Sequence, residues 1–68
     1  MLVATKNSLY EFDPDSSRLR KLKPHLSDWI TYIGMKDEPR IGEPLIILQT
    51  EEITLTTTSV VAIKEDEP

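Results

Sequence analysis

Half of the chain's basic side chains stand within six consecutive positions: Arg18, Arg20, Lys21 and Lys23 of RLRKLK are four of its eight lysines and arginines. Such a stripe can grip phosphate or carboxylate, and the two arginines add a planar fork that meets those groups bidentately. It can equally protect an edge strand from pairing with another sheet. Along a strand, alternation puts Arg18 and Arg20 on one face, fully presented, and Lys21 and Lys23 on the other with Leu19. Trp29 and Tyr32 are large amphipathic side chains of the type enriched at interface hot spots, and also of the type that fills a small core. The candidate partner-binding residues are therefore Arg18, Arg20, Lys21, Lys23, Trp29 and Tyr32.

Enzyme chemistry finds little to use. Nucleophilic catalysis needs a base beside a hydroxyl and a third group to orient the base. His25 is the single histidine, and the nearby Ser27 and Asp28 are ordinary turn residues. The carboxylate pairs Asp13 and Asp15, and Glu51 and Glu52, would need unequal environments to divide acid and base roles, which exposed turns do not supply. Asp13 and Asp15 also open like a calcium loop, but Arg18 and Pro24 stand where its glycine and final carboxylate belong. Gly34 and Gly42 are isolated, so there is no glycine-rich phosphate loop. No catalytic residue, metal site or cofactor is expected.

At 68 residues, with no cysteine and a formal net charge of −4, the chain has room for one domain and no disulfide or zinc site to reinforce it. A core this small leaves little net stability, so self-association or a tight partner would help it. The acidic balance argues against non-specific nucleic-acid binding, which calls for a basic face. No apolar run reaches the roughly 18 to 20 residues of a membrane span, and MLVATKNSLYEFD lacks the charged start and apolar centre of a signal peptide. A cytoplasmic location is expected.

The elements that must position these residues read as strands. Leu2 to Thr5 and Ser8 to Asp13 form an expected hairpin around Lys6 and Asn7, and DPDSS turns the chain again. For residues 17 to 23 the leucine spacing admits a short helix, but Pro24 interrupts it after two turns, and a strand from Arg18 is favoured. SDWITY suits a short strand, and MKDEPRIGEP an exposed loop of about ten residues. Leu45 to Gln49 reads as a strand buried on both faces. Ile53 to Thr58 alternates cleanly and continues to Ile63, with a bend or bulge at Thr58 or Ser59. The expected fold is all-β: one domain over residues 1–64, five to six short antiparallel strands in an SH3-like or partly open barrel, then a disordered acidic tail over 65–68.

Taken together, NSLYEFD near the start, the basic strand, Trp29, GEPL at 42–45 and TSVVAI at 58–63 resemble small uncharacterised proteins of bacteriophages and actinobacteria. That resemblance carries no activity. It implies a setting in which small acidic domains often inhibit a host protein, including defence machinery, or sequester a small nucleotide signal between subunits. The expected function is non-catalytic protein binding. The alternative is an oligomer that binds a small ligand or nucleotide signal, with the basic stripe at a subunit interface.

Overall fold

The computed structural model describes residues 1–65. Seven strands follow in order: β1 (Leu2–Thr5), β2 (Leu9–Asp13), β3 (Arg18–Lys23), β4 (Ile30–Thr31), β5 (Gly34–Met35), β6 (Pro44–Leu48) and β7 (Thr54–Lys64). They form one antiparallel sheet ordered β4-β3-β2-β1-β7-β6-β5 that curls into a half-barrel. The all-β expectation holds, with seven strands in place of five or six. Residues 17–23 resolve as turn and strand, as Pro24 required. Of the expected acidic tail, residues 66–68 lie outside the described residues.

Alternation builds the core. Val3, Tyr10, Phe12, Leu19, Leu45, Ile47 and Val60 point inward from β1, β2, β3, β6 and β7, and Tyr32 joins them from the segment after β4. On β6 only Leu45 and Ile47 are buried, while Ile46 stays half-exposed, so the expectation of two buried faces fails. The reason is the single layer: a curled sheet with nothing packed outside it has one interior face.

β7 is long enough to serve two neighbours. Its first half pairs with β6 and its second with β1, and both registers slip along it. The slip against β6 lies between the Ser59 and Thr56 pairings, which bears out the expected bulge near Thr58 and Ser59. Gly42, at φ 94°, turns the preceding loop so that its N–H donates to Val60 O at 2.8 Å, a backbone state that suits glycine.

The two edge strands are consecutive in the chain. Between them, Tyr32 N–H donates to Ser17 O at 3.0 Å and Ile33 N–H donates to Leu48 O at 2.8 Å. Segment 30–35 thus hydrogen-bonds to both margins of the sheet. SDWITY supplies only Ile30 and Thr31 as strand, because Ser27 is occupied in capping the edge of β3.

Candidate binding groove

β3 distributes the basic stripe to different places. Arg20 Nε lies 2.7 Å from Glu11 Oε1, and Arg18 Nε lies 3.6 Å from Asp13 Oδ2, both across the β2–β3 ladder. Both guanidiniums also rest on the Trp29 ring, at 4.6 Å for Arg18 and 4.4 Å for Arg20. The arginines therefore share a face, as alternation required, but they are not fully presented: each has a carboxylate and an indole as partners. That arrangement is typical of arginine, whose flat, weakly hydrated head stacks on aromatics while its edge binds carboxylate. Trp29 is half-buried beneath them.

Tyr32, open between core and surface in the sequence, belongs to the core. Its ring meets Phe12 edge-to-face at 5.7 Å and 89°. Burial, with a smaller contribution from Asp13, holds its phenol above the ordinary 10.0. It offers no contact surface. Lys23 is exposed, and Lys21 sits on the opposite side of β3 from the arginines, with Nζ 5.9 Å from the Tyr10 ring centroid.

Beside Lys21 lies a groove of about 400 Å³. Tyr10, Leu19 and Leu55 form its floor from the inner faces of β2, β3 and β7, and Pro24 to Ser27 with Ile30 form its wall. Pro24 follows a cis peptide and starts the wall. Ser27 fixes it: Lys21 N–H donates to Ser27 Oγ at 2.8 Å, Ser27 N–H donates to Lys21 O at 2.8 Å, and Ser27 Oγ–H donates to Asp28 O at 3.1 Å. The hydroxyl beside His25 is thereby committed to shaping the loop. Leu26 is 67% exposed and Ile30 36% exposed, so the wall presents aliphatic side chains to water. The ionisable groups lining the groove are Tyr10, Lys21 and His25, with no carboxylate among them.

A second hollow of about 450 Å³, lined by Trp29, Ile30, Thr31, Gln49, Thr50 and Ile53, adjoins the first through Ile30. Ile53 is 55% exposed. The aliphatic surface therefore continues from Leu26 through Ile30 to Ile53. Sequence reading missed Leu26 and Ile30 as surface residues. The leucine spacing at 19, 22 and 26 was a signal, but it points equally to a helix face or a core.

Among the described residues, no group of three or more histidine, cysteine or carboxylate side chains is placed to hold a metal, and no helix is long and apolar enough to cross a membrane. Compared with known proteins, the chain matches no family model, no curated protein and no solved structure.

Proposed function

We propose that the chain is a non-catalytic module that binds another protein through the groove between β3 and the 24–30 wall, in the manner of a small phage-encoded inhibitor docking on a host protein. The observation that carries this reading is the exposed aliphatic surface of Leu26 and Ile30 over a floor of Tyr10, Leu19 and Leu55. Contiguous exposed aliphatic surface rimmed by polar groups is a recurring mark of a protein contact. Lys21 and His25 at its margin add polar recognition without an opposing carboxylate. The paired arginines support the domain by covering Trp29 and bridging β2 to β3, and the contact surface shifts to the other side of the strand.

The test is affinity capture from an actinobacterial lysate with three forms of the protein: wild type, Leu26→Asp, and the double variant Arg18→Ala with Arg20→Ala. Leu26 is exposed, so its replacement is expected to change folding stability by no more than about 0.5 kcal/mol. A partner retained by wild type and by the arginine variant, and lost from Leu26→Asp, is the expected result. Identical capture by wild type and Leu26→Asp overturns the reading.

A further inference from the structure

The aliphatic surface has a charge at each end, of opposite sign. Lys21 lies beside Leu26 at one end, and at the other Glu51 and Glu52 directly precede Ile53 in the chain. Ile30 lines both hollows and so occupies the middle. The acidic end is also preformed. Thr50 Oγ1 accepts from the Glu52 and Ile53 N–H groups at 3.2 and 3.0 Å, and the Gln49 and Thr50 N–H groups both donate to Ile53 O, at 2.9 and 3.2 Å. A tip held in this way loses little conformational entropy when it is covered.

We infer that, in the absence of another partner, this face is covered by a second copy of the chain, in a two-fold dimer that seats the Glu51–Glu52–Ile53 tip of each copy in the groove of the other. The inference rests on the reading of the groove as a protein-docking surface. A two-fold axis beside Ile30 reverses the patch end for end, so it lays the basic end of one copy on the acidic end of the other twice over. Parallel stacking would oppose like charges at both ends. Ile53 supplies the aliphatic side chain for the groove, and the carboxylates of Glu51 and Glu52 supply the counter-charge that Lys21 lacks within its own copy's lining. Covering this surface also answers the weak core of so short a chain.

Salt does not test the arrangement cleanly. Each copy carries a net charge of −4, and added ions relieve that general repulsion while weakening the local pairs. Charge exchange does. Sedimentation velocity at about 1 mM chain, a concentration that populates even weak dimers, is expected to give twice the chain mass for wild type. Lys21→Glu alone and the double variant Glu51→Lys with Glu52→Lys alone are expected to sediment as monomers, since each opposes like charges at both ends. Mixed in equal amounts, the two variants are expected to form a heterodimer, because both ends are again complementary. Thermal melts of each variant show that it is folded. Monomeric wild type overturns the dimer, as do variants that still dimerise alone or a mixture that stays monomeric. The protein-docking reading is tested separately: if capture of a foreign partner still depends on Leu26, it stands without the dimer.

Discussion

Tyr32 illustrates how a single side chain is divided between packing and charge. Its ring closes on Phe12 in the core, while burial first and Asp13 second make ionisation of its phenol less favourable in the folded protein than in the unfolded chain. The unfolded phenol loses its proton near 10.0, and the folded one at higher pH. The stability tied to the neutral phenol is thus complete below pH 10.0 and declines as pH rises through the folded value, because the unfolded state sheds its proton first. Denaturant titrations at increasing alkaline pH are expected to show wild type losing stability faster than Tyr32→Phe, which has no proton to lose. Parallel loss in the two proteins would show that the phenol is solvated. Arg18 and Arg20 give a second lesson at this scale: a basic side chain can spend its charge inside its own domain, on Glu11, Asp13 and the face of Trp29.

β7 carries the curvature of the sheet, and one polar side chain makes its bulge tolerable. Where the register against β6 slips, Leu45 N–H donates to Thr57 Oγ1 at 3.0 Å, and the Thr57 hydroxyl donates to Thr58 O at 2.7 Å. Thr57 is 7% exposed, so this hydroxyl stands in for a backbone acceptor in a place that water does not reach. Thr57→Val keeps the shape and the β-branch but leaves the Leu45 N–H without an acceptor. A loss of about 1–3 kcal/mol is expected from urea unfolding, and Thr57→Ser is expected to recover most of it. A loss in Thr57→Ser with none in Thr57→Val would point to the methyl group and away from the hydrogen bond. The neighbouring Thr54, Thr56 and Thr58 face water, so four threonines in one run have two different roles.

At the scale of the whole molecule, the sheet depends on segment 30–35 reaching both of its margins. The side chain of Ile33 is 64% exposed, which by itself would place the residue in a loose surface loop. Its N–H is nevertheless bonded to Leu48 O, one residue from the Tyr32 N–H bond to Ser17 O. Opening either bond parts the segment from a margin of the sheet and uncovers Tyr32. Native-state hydrogen exchange is therefore expected to give the Tyr32 and Ile33 amides protection close to that of Val3 and Ile47 in the central strands. Exchange at the rate of the 37–40 loop would mean that the segment opens independently of the core.

Most of the strands and the bulge on β7 were legible in the chain, because period-two alternation, paired turn residues and a proline after RLRKLK act over a few neighbouring positions; the one-sided burial of β6 and the short strand Gly34–Met35 were not. That Arg18 and Arg20 would face away from Leu19 was legible for the same reason. What they would touch was not: Trp29 reaches them only because β4 pairs with β3, and Glu11 and Asp13 only because β2 lies opposite in register. The Tyr32 assignment likewise waited on the curl, since SDWITY alternates too briefly to name its buried face. The groove was least legible of all. Tyr10, Leu19, Leu26, Ile30 and Leu55 come from separate stretches, each of which reads as ordinary core or loop, and they form one surface only when the curled sheet brings β2, β3 and β7 around a common interior and Ser27 folds the 24–30 wall against the edge of β3. Local patterning decides which residues leave water, whereas long-range pairing decides which of the remainder stand together.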